Sequence, residues 1–263
     1  RGTAWDFARA RTAPSSWRRF FGRPVAFEEM PFVEDPPEGA LATADNQPVP
    51  EGDGPFLGVD WLDGYRQARI SEEVLSHHSW DVAGTQALQR DQASVPWREM
   101  RDLVLGASAQ SEDAREALEL LRGWDGLVAV ESPGASVFEL FIYEMSRRTA
   151  QARAPRSWTW AVGRSSYPGV PRTFFAARRI GHLVRLMRDR PEGWFNRPWA
   201  DEVDDALAAA VKTLRATYGD GSGRWAWGHV RKLTLRHPSG ERPLLGRVFN
   251  CGPFPWEVDV NTV

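Results

Sequence analysis

Between Pro31 and Pro55 the chain reads PFVEDPPEGALATADNQPVPEGDGP, with six prolines and three glycines. Each proline lacks a backbone N–H and fixes φ, so neither a regular helix nor a central strand can run through such a stretch. It has to lie as a loop on the surface of something else, and the core of the protein has to be built from the residues after Pro55. ALATAD, residues 40–45, is the one short strand the stretch accommodates. Ahead of it, residues 1–31 carry Trp5, Trp17, Phe20, Phe21 and six arginines without a sustained period, and they receive no element assignment.

Downstream the pattern turns helical. Ile70, Val74 and Leu75 mark one apolar face in GYRQARISEEVL, and Ser79 or Asp81 is placed to cap a second helix over WDVAGTQALQRDQ. A third helix begins near Pro96. Ser111, Glu112 and Asp113 supply a cap and an acidic first turn to a fourth, whose Ala114, Leu118 and Leu121 recur at helical spacing until Gly123 stops it. The turn Trp124-Asp125-Gly126 leads to SPGASVFELFIYEMSRR, with Val137, Leu140, Phe141 and Met145 on one face. Two more helices are expected over FFAARRIGHLVRLMRDR, ending before Pro191, and over DEVDDALAAAVKTLRATYG, ending at Gly219. Beyond Gly223, KLTLRHP alternates like a strand and VFNCGPFPW reads as extended and proline-bounded. The expectation is a mostly helical α+β chain with a few strands.

Whole-chain properties remove several function classes. The 33 basic and 35 acidic residues nearly cancel, so there is no global field to draw in nucleic acid or an anionic membrane. Cys251 is the single cysteine, so no internal disulfide is possible and packing must hold the fold. RGTAWDFARA contains no apolar run suited to a signal peptide or a membrane span. A chain that starts at Arg1 rather than Met is expected to be a processed product or part of something longer. The thirteen tryptophans are spread from Trp5 to Trp256, which suits core and interface packing. A glycan-binding platform would need several in a row on one surface.

Familiar catalytic patterns are also missing. The adjacent His77 and His78 would point about 100° apart on a helix, and His182, His229 and His237 are scattered, so a shared metal is not expected. GDGSG at 219–223 follows a helix rather than a strand and reads as a helix stop, not a phosphate cradle. No G-x-S-x-G elbow occurs. Asp201, Glu202, Asp204 and Asp205 fall in the first turn of a helix, where they offset its dipole.

Several loop phrases, taken in order, resemble the penicillin acylases, amide hydrolases of the N-terminal nucleophile class. They are PFVEDPPEGALATADNQP, GYRQARI, QALQRDQAS, LRGWDG with the S-P-G-A-S-V-F helix, WAWG, GPFPW and NTV. The resemblance covers roughly residues 31–263. It implies the mostly helical portion of an αββα hydrolase large (beta) subunit, with the two central sheets largely missing. An oxyanion loop over 32–60, a helical region over 61–218 and a C-terminal extended region over 219–263 would make up that portion, beside the unassigned 1–31. The partners implied are the remaining acylase alpha and beta segments and a small-molecule acyl amide of β-lactam, acyl-homoserine lactone or lipopeptide type, with no nucleic acid and no membrane. The complete protein would arise from a self-cleaving precursor and be exported to the periplasm or beyond.

In that family an N-terminal Ser attacks, with its own α-amine as base, and an Asn side chain with a backbone N–H holds the oxyanion. The usual phrase resembles T-A-N-N-x-P. Thr43-Ala44-Asp45-Asn46-Gln47-Pro48 aligned with it puts Asp45, not Asn46, at the first Asn. A carboxylate there would repel an oxyanion, so either Asn46 takes over as donor or Asp45 stays protonated, and the first is favoured here. The resemblance makes Arg66, at the GYR position, a guanidinium near the nucleophile and the oxyanion group. No cofactor is expected, although some members bind calcium, for which Asp53 or Asp60 would be the acid. The nucleophile itself is absent: Arg1-Gly2-Thr3 cannot replace it, because Thr3 has no free amine. Glu257 and Val258 also stand where the family ending has two glycines, and side chains there are expected to disturb a close backbone approach. The chain alone is therefore expected to show no turnover. A non-catalytic acylase-like binding or scaffold protein is the rival reading.

Overall fold

Four of the described helices start where a short oxygen-bearing side chain takes up an orphan backbone N–H. Asp81, Ser94, Ser111 and Ser132 accept from the N–H of Gly84 (2.7 Å), Trp97 (3.3 Å), Ala114 (3.1 Å) and Ala135 (3.1 Å). The computed structural model describes residues 25–50, 52–58, 61–77, 79–163 and 179–263. In chain order its principal elements are α1 (Tyr65–Ser76), α2 (Val82–Leu88), α3 (Val95–Leu105), α4 (Glu112–Arg122), α5 (Pro133–Arg153), α6 (Trp158–Ala161), α7 (Ile180–Asp189), α8 (Trp199–Tyr218), α9 (Trp227–Val230), β1 (Lys232–Leu235), α10 (Pro243–Phe249) and β2 (Cys251–Pro255). No described helix is long and apolar enough to cross a membrane.

The core is a triangle of α4, α5 and α8, with α3 and α7 packed against its side. The expected faces meet there: Ala114, Leu118 and Leu121 from α4, and Val137, Phe141 and Met145 from α5, are fully buried, while Leu140, expected on the same face of α5, is only partly buried. From α8 come Ala206, Leu207, Val211 and Leu214. Trp97, Trp124 and Phe138 form an aromatic trio with ring centroids 5.1–5.5 Å apart, tying α3 and the turn before α5 to α5 itself. Gly134 lets this happen, because a Cβ there would lie 2.6 Å from the Trp124 side chain. At the rim, Arg215 of α8 pairs with Asp113 and with Glu116 (2.6 Å) of α4.

Several expectations need correction. ALATAD does not form a strand: Asp45 turns into the left-handed region at φ 61°, and only Asn46 pairs, in an isolated parallel bridge with Leu62. On α1, Leu75 is exposed and Ile70 and Val74 are only partly covered, so Tyr65 is its one buried residue. The helix over 201–219 begins earlier, at Trp199, which leaves only Asp201 and Glu202 in its first turn. Asp204 faces inward and accepts from the Gln110 N–H (2.8 Å), and buried Glu202 pairs with Arg148 (2.7 Å). Val248 and Phe249 are helical, in α10, and the extended stretch is confined to β2. KLTL does form a strand. β1 and β2 run antiparallel, with Lys232 opposite Pro255, Leu233 opposite Phe254 and Leu235 opposite Cys251, the register shifting between Leu233 and Leu235. This is the one sheet among the described residues. Most of the unassigned N-terminal segment, residues 174–178 of the expected FFAARRIGHLVRLMRDR helix, His78 and Asp60 lie outside the described residues.

Candidate functional site

The proline-rich loop is pinned where it passes under α1. Ala44 is buried, the Asp45 carbonyl accepts from the Leu62 N–H (2.8 Å), and the Asn46 carboxamide closes a local turn. Its Oδ1 accepts from the Ala44 N–H (3.0 Å) and its Nδ2 donates to the Gln47 carbonyl (3.0 Å). Asp45 tolerates its left-handed backbone because Asp and Asn, after Gly, strain least there.

Arg66 is the second residue of α1, and its Nη1 meets Asp45 Oδ2 at 3.1 Å. The structure thus brings together two residues, 21 apart, that the sequence singles out separately. The Asp45 side chain is 69% exposed and that of Arg66 34%, so the ion pair is a solvent-facing one that contributes on the order of 0–1 kcal/mol. An amide nitrogen carries two N–H groups; one of Asn46 is spent on Gln47, and the other has no acceptor among the described residues. Asp45 is held as an acceptor by the guanidinium. The arrangement accordingly leaves one N–H of the Asn46 amide uncommitted, while the Arg66 guanidinium, engaged through Nη1 alone, keeps further donors of its own.

Arg69, one turn along α1, has a different task. It binds Asp91 through two hydrogen bonds (3.1 and 2.7 Å) and also pairs with Glu73 (2.7 Å). The bonds to Asp91 hold its proton even more tightly than usual. Only Arg66 of the two arginines faces the loop.

The start of α1 is itself clamped. Asp63 Oδ2 accepts from the Gly181 N–H (2.7 Å) in the first turn of α7, and a Cβ on Gly181 would lie 2.7 Å from the same carboxylate. Tyr65 is buried beside this clamp, and burial, followed by Glu99 and Asp63, pushes its hydroxyl well above the ordinary tyrosine range. No local motif announces Asp63 as a partner of Gly181, 118 residues away; sequence reasoning misses it for that reason.

A cavity of about 460 Å³ opens further along the chain, lined by Gln47, Pro50, Phe56 and Trp61 among others; Asp45, Asn46 and Arg66 do not line it. Asp53 also lines it but is exposed, and no group of three or more His, Cys, Asp or Glu converges among the described residues. Asp60, the other candidate acid for calcium, lies outside the described residues. At the other end of the chain, Glu257 accepts from Gln92 Nε2 (2.6 Å), next to Asp91, and Val258 adopts φ 64°. The side chain of Glu257 is accommodated; that of Val258 is held in a conformation suited to glycine.

A family model described as penicillin amidase matches residues 3–263. The chain is 26% identical over 255 residues to acyl-homoserine lactone acylase QuiP of Pseudomonas putida, covering 89% of this chain and 30% of that protein. It is 26% identical over 243 residues to penicillin acylase 2 proenzyme of a Pseudomonas species, covering 91% of this chain and 30% of the relative. It thus spans about 30% of the length of the curated relatives it matches.

Proposed function

We propose a function from one premise, that this chain belongs to the penicillin amidase family, and from the side chains gathered around Asp45. In this reading the chain is part of the large subunit of an αββα hydrolase that releases an acyl group from a linear amide. An N-terminal Ser outside residues 1–263 attacks the carbonyl, using its own amine as base, and an acyl-enzyme forms. The remaining alpha and beta segments of a processed precursor are its partners, and by itself the chain has no turnover. No cofactor takes part.

The observation that carries the reading is the Arg66–Asp45 contact at 3.1 Å, made by the residue that precedes Asn46 in the chain. Asn46 then serves as the oxyanion donor. Arg66 holds the loop that presents it, and Asp45 anchors the guanidinium rather than touching the oxyanion. A donor of this kind is worth about 10²–10³ in kcat. In the complete polypeptide, Asn46→Ala is expected to lower kcat for an acyl amide by that factor with little change in KM, whereas Asp45→Asn leaves kcat at or above its starting value. An unaltered kcat in Asn46→Ala would overturn the assignment of the donor.

One observation favours the rival scaffold reading: a carboxylate occupies the family's first amide position and is paired rather than available as a donor. Trapping with an acyl-amide substrate separates the two. A covalent acyl-enzyme on the complete polypeptide supports the hydrolase, and its absence supports the scaffold. Acyl-homoserine lactones and penicillins are the substrates named for the relatives, and they are the ones to assay first.

A further inference from the structure

A second polar cluster lies away from that loop, where the C-terminal segment crosses α5. Glu139 of α5 is within hydrogen-bonding reach of the Asp259 carboxyl, yet Glu139 Oε1 and Asp259 Oδ2 are both sealed from solvent and have no donor. The other oxygen of Asp259 is engaged: Oδ1 accepts from the N–H groups of Asn261 (2.6 Å) and Thr262 (2.9 Å), folding the chain end into a tight turn. Asn261 and Thr262 are buried by this turn. Two interacting carboxylates, each with a buried oxygen that lacks a donor, repel when both are charged; with one proton between them they form a strong, short bond.

We propose that Glu139 and Asp259 share a single proton, and that this proton is a latch fastening residues 256–263 to α5. Among the described residues the segment above the latch has these other hydrogen bonds to the rest of the chain: the Val258 N–H to the Val128 carbonyl (2.9 Å), Trp227 Nε1 to the Val258 carbonyl (3.1 Å), the Trp256 N–H to the Arg231 carbonyl (3.2 Å) and Gln92 to Glu257. Deprotonation places two like charges face to face beneath it. Release would free Glu257 from Gln92, whose neighbour Asp91 holds Arg69 on the helix that carries Arg66.

The surrounding groups set the direction of the response. Burial, and then the charge of Asp259 and the bond to it, hold the Glu139 proton well above the ordinary carboxylate range. Arg179, just ahead of α7, and Arg231, between α9 and β1, act against this but are outweighed. Arg179 is itself partly buried, its guanidinium 5.7 Å from the Tyr143 ring centroid on α5, and loss of solvent lowers its own proton affinity. A group that holds its proton more tightly folded than unfolded contributes its full stability at low pH and loses it as pH rises through the folded value. The latch therefore opens on the alkaline side.

The test is amide hydrogen exchange at Asn261 and Thr262, corrected for intrinsic rates, between about pH 5 and pH 9 in the complete polypeptide. The unsubstituted protein should lose protection with rising pH, by up to about tenfold per pH unit while the closed turn keeps the shared proton and the opened one does not, and level off once both have lost it. Glu139→Gln, whose amide donates to Asp259 at every pH, should keep a flat profile. Parallel profiles in the two proteins, or a Gln variant already unprotected at low pH, would overturn the proposal. Infrared spectroscopy of the unsubstituted protein at neutral pH does not depend on the variant folding. One protonated-carboxyl C=O band is expected, and an absent band also overturns the proposal.

Discussion

Two non-glycine residues with left-handed backbone mark the departures of this chain from its family phrases, and they differ in what they cost. Asp45 belongs to the few residue types that adopt φ near 61° with little strain. Val258, β-branched and at φ 64°, does not. The close approach foreseen for Glu257 and Val258 thus resolves into two cases: Glu257 gains a hydrogen bond, and Val258 bears the strain. Left-handed strain in a non-glycine residue amounts to about 1–2 kcal/mol, and glycine returns part of that through its unfolded-state entropy. Val258→Gly is therefore expected to stabilise the protein by about 0.5–1 kcal/mol, read as a raised midpoint in urea with an unchanged m-value. A lowered midpoint would mean that the Val258 side chain packs usefully enough to outweigh its backbone.

Among elements, the helices that sequence periodicity marks most clearly are those with a cap and a fully buried face. Ser111 with Ala114, Leu118 and Leu121 identifies α4 correctly because every piece of information needed is local. The four acids at 201–205 mislead for the opposite reason. Their spacing puts the first turn two residues late, and only tertiary contacts show that Asp204 takes the Gln110 N–H from another part of the chain. The Asp63 to Gly181 clamp between α1 and α7 is of this second kind. Adding a methyl at Gly181 would drive a Cβ to 2.7 Å from the carboxylate. Gly181→Ala should cost about 1–3 kcal/mol in overpacking. It should also speed amide exchange at the start of α1 and weaken the hold on Arg66. Gly223, with nothing near its missing Cβ, is the control and should show neither effect on substitution by Ala.

On the scale of the whole molecule, one hydrophobic cluster runs from Tyr65 through the α4, α5 and α8 triangle to Trp225 and Trp227. A single contiguous core predicts one cooperative transition for the helical region. Leu118→Ala, at a fully buried position, should lower its stability by about 2–5 kcal/mol, with near- and far-ultraviolet circular dichroism shifting together. Separate transitions would show that the cluster is divided.

The division between what could be read from the chain and what had to be seen in space comes from the range of the interactions. The order of the helices, their caps and most of their buried faces, the irregular character of the proline-rich loop, and the strand KLTL all rest on neighbours within about one turn or one pleat. The sequence determined these by itself. Family membership was legible in the same way, because the acylase phrases keep their order along the chain. The fold alone decided that Asp45 meets Arg66, that Asp63 clamps Gly181, that Glu257 reaches Gln92 and that Glu139 faces Asp259. Each joins residues far apart in sequence, and side-chain pairing at that range is set by how the helices pack, which no local pattern encodes.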